Sequence, residues 1–262
     1  MTDDSKTISF MAHLRELRTR LLFSLLAYIA AFFICYYFAE NIYSWLLKPL
    51  VQLYDQQAGR RLIYTNLTEA FFTYLHVAMV SAFALSFPFI AWQIYAFVAP
   101  GLYKHERRAL IPYLIAAPTL FVLGAGFVYG AVFPVAWRFF LGFETPADAM
   151  GIPVQLEARI GEYFSLVLQM MWAFGLAFQL PVVLILLVHI GVISVENLIA
   201  KRRHAIVAAF AIAAVMTPPD IFSQIALALP LCLLYEGALL VCRFIEKKGI
   251  VHARHSTDSQ SS

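Results

Sequence analysis

Between Ala70 and Tyr103 the chain carries no Asp, Glu, Lys or Arg, and the same holds from Ala109 to Trp137 and from Tyr163 to Val195. Runs of this length restrict the fold more than any other feature. About 20 residues at about 1.5 Å each already cross a hydrocarbon core of about 30 Å, so these runs are too long for core helices of a soluble domain. Composition agrees, with 61% hydrophobic, 15% aromatic and only 13% charged residues, far from soluble usage. The expected fold is all-α, a polytopic membrane protein.

Six spans are predicted: Leu21 to Phe38, one within Ala70 to Tyr103, one within Ala109 to Trp137, one within Tyr163 to Val195, then Ala205 to Thr217 and Ile221 to Cys242. The second, third and fourth exceed what a perpendicular helix needs, and Pro88, Pro112, Pro118 and Pro181 mark kinks within them. The fifth reaches only about 20 Å as a helix, so it either thins the bilayer locally or forms half of a re-entrant hairpin. Gly126 and Gly130 form a small-xxx-small pattern that ordinarily permits close helix contact.

Of the 19 Lys and Arg, only Lys48, Arg60, Arg61, Arg138 and Arg159 fall in segments on one side of this alternation. The other side is therefore expected to be cytoplasmic, with both termini there. Met1 to Arg20 is polar and has no apolar core before the first span, so no cleavable signal peptide is expected, and no acid-poor transit segment is visible. A bacterial cytoplasmic (inner) membrane follows. Residues 1–248 read as a single six-helix domain, and 249–262 as a disordered cytoplasmic tail.

No catalytic constellation stands out. There is no HExxH helix, Gly-rich phosphate loop or GxSxG elbow; Cys35, Cys232 and Cys242 lack disulfide or metal spacing and read as small packing residues; and the histidines are scattered. No catalytic residue, metal, cofactor or nucleic-acid partner is expected.

What remains is a set of polar groups in costly places, where ionisable side chains are functional candidates. Phe10, Leu14, Leu17 and Leu21 recur at helical spacing, so the first helix begins before the bilayer and carries Glu16 just below it. One reading pairs Glu16 with Arg20 as an ordinary i,i+4 ion pair. The other joins Glu16 with Glu106, the acid inside the basic stretch Lys104, His105, Glu106, Arg107, Arg108, as two carboxylates able to receive guanidinium groups bidentately. Glu106 equally reads as part of a solvated run that only sets topology. Gln179 lies near the middle of the fourth span, where an amide ordinarily bonds to another helix, and Glu236 lies within the sixth. Asp220, after Pro218 and Pro219, reads as a helix cap.

Four stretches occur in order between the spans: HLRELRTR, APGLYKHERR, FQLP and MTPPDIFSQ. Together, from about Ile8 to Phe244, the chain resembles the TatC family, the polytopic core of the twin-arginine protein translocase. The resemblance implies a concave, glove-like receptor that binds signal peptides bearing two consecutive arginines. It further implies help in moving folded proteins across the membrane, powered by the proton gradient. The family's signal-recognition carboxylates match Glu16 and Glu106, and its surrounding surface matches Arg18, Phe97, Leu102, Tyr103, Arg107 and Arg108. Val215, Met216, Thr217 and Asp220 match a docking region for single-span partners, a TatB-like protein in the receptor complex and a TatA-like protein in the active assembly. Other TatC copies and the lipid bilayer complete the implied partners. Pro49, in the first external loop, and Pro88 match structural prolines. At position 179 relatives often carry a titratable Glu, so any mechanism needing a proton on that side chain is in doubt here. A secondary transporter for a small solute is the competing class, but it calls for internal repeats, and none is visible. A membrane enzyme ranks third, lacking a constellation.

Overall fold

The computed structural model describes residues 3–54, 61–98, 111–144, 156–189, 191–216 and 221–258. It is nearly all helix: α1 Asp3–Tyr37, α2 Ala39–Tyr54, α3 Glu69–Val98, α4 Ile111–Phe127, α5 Phe133–Leu141, α6 Ile160–Ala177, α7 Leu180–His189, α8 Val195–Ala200, α9 Arg202–Met216 and α10 Ile221–Asp258. Five stretches are long and apolar enough to cross a membrane, Met11–Tyr37, Glu69–Phe97, Pro112–Leu141, Ile160–His189 and Ser223–Glu246. They coincide with predicted spans one to four and six. The fifth predicted span lies on α9, whose 15 residues reach about 22 Å. Helices are the expected answer in lipid, where each backbone polar group must be satisfied inside its own segment or by a neighbour.

The chain divides into two compact units, residues 1–172 and 173–262. In the first, α1 and α3 pack antiparallel over most of their length. Small side chains permit the approach: Ala31 and Cys35 of α1 are buried against Ala78 and Ala82 of α3, with Tyr28, Phe32 and Ile42 around them. The predicted external loop contains a helix instead of open chain. α2 buries Leu46 and Leu50 and includes Pro49 within its helical run. Tyr43 of α2 stacks between Tyr74 and Phe164, at 4.8 and 4.3 Å, and the buried Tyr163 hydroxyl donates to the Leu46 carbonyl at 2.9 Å.

The prolines differ in where they fall relative to the helices. α3 continues as helix through Pro88, and α4 through Pro118, while Pro112 sits in the first turn of α4, where its missing N–H has no partner to lose. The irregularity falls at the unanticipated Pro134. Val128–Val132 form a π-helical turn just before it, as expected where proline cannot donate to the preceding turn. That turn carries Tyr129, whose ring stacks on Trp45 at 4.1 Å and whose hydroxyl donates to the Trp45 carbonyl at 2.8 Å. The small-xxx-small expectation is not met: a methyl at Gly126 or Gly130 meets no atom within 4 Å among the described residues.

At the end of α3 away from α1's N-terminus, the segment before Glu69 is tied to the start of α6. Ile63 and Arg159 form a parallel bridge, with the Ile160 N–H donating to the Ile63 carbonyl at 2.9 Å. Glu69 gathers the donors. Its Oε2 accepts from the Thr65 and Asn66 backbone at 2.9 and 3.3 Å, and its Oε1 accepts from the Gly161 N–H at 2.8 Å, 92 residues away. Arg159 reaches Glu69 at 3.7 Å and Glu162 at 2.7 Å. Glycine is needed at 161, because an added Cβ would lie 2.9 Å from Glu69 Oε1 and 3.0 Å from its Cγ. The carboxylate is held by its other donors and cannot simply swing away. Gly161→Ala is expected to lower stability by about 1–3 kcal/mol, measured by thermal unfolding in detergent; an unchanged midpoint would show that the carboxylate moves freely.

In the second unit the fourth predicted span breaks at Phe178 and Gln179, before Pro181, as its proline implies. Within that run it ends at His189, where Gly191 adopts φ 73° and the Val192 N–H returns to the Leu187 carbonyl at 3.0 Å, the left-handed helix stop that glycine permits. Ser194 then caps α8, accepting from the Asn197 N–H. Leu198, Tyr235 and Leu239 form a core with Leu180, Leu184 and Val188, and the Tyr235 hydroxyl donates to the Leu198 carbonyl at 2.8 Å. α10 spans Ile221–Asp258. No proline interrupts 249–258, and extending an existing helix requires no new nucleus.

Candidate functional site

His13, Glu16 and Arg20 recur every three to four residues on α1 and so share one face. That face meets Gln93 and Phe97, one turn apart on α3. Arg20 Nη2 donates to Glu16 Oε1 at 3.2 Å, and its Nη1 donates to Gln93 Oε1 at 3.1 Å, across 73 residues of sequence. The Arg20 and Glu16 side chains are each 33% exposed. One turn nearer the N-terminus, the His13 and Phe97 rings stack at 4.2 Å and 17°. The result is a half-open carboxylate site with a neutral amide opposite it and an aromatic pair beside it.

The ordinary i,i+4 pairing of Glu16 is therefore present. Phe97 lies on the same α1–α3 interface as Glu16, stacked on His13. Arg18 does not: it is exposed and two residues from Glu16, so it points around the helix from the site. Leu102, Tyr103, Glu106, Arg107 and Arg108 lie outside the described residues, as do Thr217 and Asp220. Gln93 and His13 were missed by sequence reasoning. Their signal was the spacing of Gln93 and Phe97, four apart in an otherwise apolar run, which matches the spacing of polar residues on α1.

Gln179, Glu236, Val215 and Met216 belong to the second unit. Gln179 Nε2 donates to the Gly175 carbonyl at 3.4 Å, while the Gln179 backbone N–H turns to Leu176 at 2.9 Å. The side chain thus takes up the carbonyl that its own backbone abandons at the helix break. Glu236 of α10 pairs with Arg202 of α9 at 2.8 Å. Val215 is 84% exposed near the end of α9, with Met216 at its last position. Pro49 and Pro88 lie inside α2 and α3. In the first unit, an apolar cavity of about 530 Å³ is lined by residues including Trp45, Leu85, Phe121 and Trp172, with Asn41 and Ser81 as polar members.

Long apolar helices, a charged site at one end of the α1–α3 pair, and no metal-binding cluster among the described residues define a multi-pass helical membrane protein. Residues 12–230 match the family model described as Sec-independent protein translocase protein (TatC). The chain is 47% identical over 253 residues to the Sec-independent protein translocase protein TatC of Rickettsia prowazekii (strain Madrid E), covering 97% of this chain and 100% of that protein. It is 39% identical over 243 residues to the TatC of Escherichia coli (strain K12), covering 93% and 91%. A crystal structure of the twin arginine translocase receptor TatC in DDM superposes with a TM-score of 0.77 at 37% identity, covering 87% of this chain and 98% of that one. The chain belongs to the TatC family and is a subunit of a Sec-independent protein translocase, a transport protein.

Proposed function

We propose that this chain is the signal-peptide receptor of a twin-arginine translocase in a bacterial inner membrane, with both termini and the Glu16 site in the cytoplasm. A signal peptide offers two planar cations and then an apolar stretch. Its receptor therefore needs carboxylates at the water interface and apolar helix surface leading into the bilayer. Glu16 supplies one carboxylate and Glu106 the other, with Arg18, Phe97, Leu102, Tyr103, Arg107 and Arg108 around them. The observation that carries the reading is that the Glu16 site already holds a guanidinium.

TatB-like and TatA-like single-span proteins dock along the end of α9, where Val215 is exposed, with Met216, Thr217 and Asp220 as further contact residues. Other copies of the chain complete the assembly, and folded cargo crosses at the expense of the proton gradient. Gln179 does not titrate near neutral pH, so the proton step does not run through that side chain.

Photo-crosslinking of membranes with matched peptides bearing Arg-Arg or Lys-Lys tests the proposal. Arg-Arg labelling is expected to dominate, and Glu16→Ala or Glu106→Ala to weaken it about 10- to 100-fold, the size of losing one hydrogen bond to a charged group. Equal labelling by both peptides in the unaltered protein would sink the receptor reading.

A further inference from the structure

Arg20 is held by one acceptor from its own helix and one from its neighbour, each through a different nitrogen of the same guanidinium. Among the described residues, Glu16 takes no hydrogen bond other than that from Arg20. Both side chains are one-third exposed, and such pairs are held weakly and exchange readily with solvent and competing ions. We propose that Glu16 and Gln93 together form a guanidinium-binding subsite, that Gln93 is a specificity-determining residue within it, and that Arg20 is an internal occupant displaced by an arginine of the bound peptide. This rests on the receptor reading above.

The chemistry follows from the two acceptors. An acid waiting unpaired at a membrane interface is costly, and Arg20 removes that cost while the site is empty of peptide. The incoming arginine then exchanges like for like, bonding to Glu16 through one nitrogen and to Gln93 through another. Arg20, four carbons of reach from α1, swings out to the headgroup region as arginines at membrane interfaces do. A lysine ammonium is a compact point charge and does not span two acceptors set on separate helices with the fixed fork of a guanidinium. Gln93 suits this role because it is neutral: it accepts a directed hydrogen bond without attracting cations indiscriminately, so it adds selectivity for shape more than for charge. The stacked His13 and Phe97 rings form the next turn of the same α1–α3 surface, on which a planar guanidinium can also lie.

The test uses the full chain in lipid nanodiscs and fluorescence anisotropy with matched Arg-Arg and Lys-Lys signal peptides. Gln93→Leu is expected to weaken the Arg-Arg peptide about tenfold, the effect of one lost hydrogen bond to a charged group, and the Lys-Lys peptide far less, so that the preference collapses. Arg20→Gln is expected to tighten the Arg-Arg peptide several-fold and to make free guanidinium ion a better competitor than it is for the unaltered protein. A misfolded variant does not gain affinity, which separates this result from a structural defect. Weaker or equal binding by Arg20→Gln, or a full Arg preference in Gln93→Leu, overturns the proposal. If Glu16→Ala abolishes the preference while those two variants behave as the unaltered protein, this inference fails alone. If the unaltered protein shows no Arg preference, the receptor reading fails with it.

Discussion

Replacing Glu69 by alanine is expected to lower the thermal unfolding midpoint in detergent by several degrees and to accelerate amide exchange at Thr65, Asn66 and Gly161. These three N–H groups share one carboxylate as their acceptor. An exposed donor finds water at little cost, but the Gly161 bond is partly buried, and a donor left unsatisfied there loses more than an ordinary hydrogen bond contributes. The change also frees Arg159 from one of its two acids, leaving a guanidinium whose Nε is already buried without a partner. Glu69→Gln keeps one acceptor oxygen and is expected to fall between the alanine variant and the unaltered protein. Residues Val77 to Ala82 in the middle of α3, packed against α1, are expected to keep their protection in all variants. If the three amides exchange at their original rates in Glu69→Ala, the carboxylate is not what ties this end of α3 to α6.

The second large effect is expected at the opposite kind of site, an ion pair between an acid within the last apolar stretch and the first residue of α9. Glu236 lies 13 residues beyond Ser223, where the last apolar stretch begins, or about 20 Å along the helix. At that depth a lone carboxylate is disfavoured, and Arg202 at 2.8 Å neutralises it. Arg202→Leu is expected to destabilise the second unit by about 1–3 kcal/mol, the cost of leaving a charged acceptor without its partner. The side chains are 42% and 47% exposed, which keeps the figure below the larger values known for fully buried pairs. Glu236→Leu is expected to cost less, since it removes the acid rather than orphaning it. The double variant, apolar on both helices, should recover most of the loss. Unfolding midpoints and steady-state membrane levels of the four proteins read this directly, and a double variant worse than Arg202→Leu would show that the pair organises α9 and α10 rather than merely neutralising charge.

The two sites differ in how visible they were beforehand. Glu236 stood out because any acid in an apolar run does. Glu69 did not, since it lies at the edge of a span where an acid is unremarkable, and its partners at 159 and 161 follow no periodicity relative to it. The Glu16 site was half visible in the same sense. Glu16 and Arg20 are four apart on one helix, so their pairing follows from helical geometry alone. Gln93 enters only because α1 and α3 run antiparallel with small residues at Ala31, Cys35, Ala78 and Ala82 setting their separation.

By itself the sequence determined that this chain is a multi-pass helical protein, roughly where its apolar helices lie, and which end of them carries the bases. Hydrocarbon imposes these properties locally, since each stretch must be apolar, long enough and internally hydrogen-bonded whatever its neighbours do. It also determined the TatC family through four short motifs. Tertiary structure alone decided that the segment between the first two spans folds as α2, that the π-turn before Pro134 places Tyr129 on Trp45, that Glu69 accepts from a residue 92 positions away, and that Gln93 shares a guanidinium with Glu16. Each of these depends on which polar groups two separately stable helices bring within about 3 Å of one another. That is set by side-chain packing between helices, which leaves no period in the sequence to read.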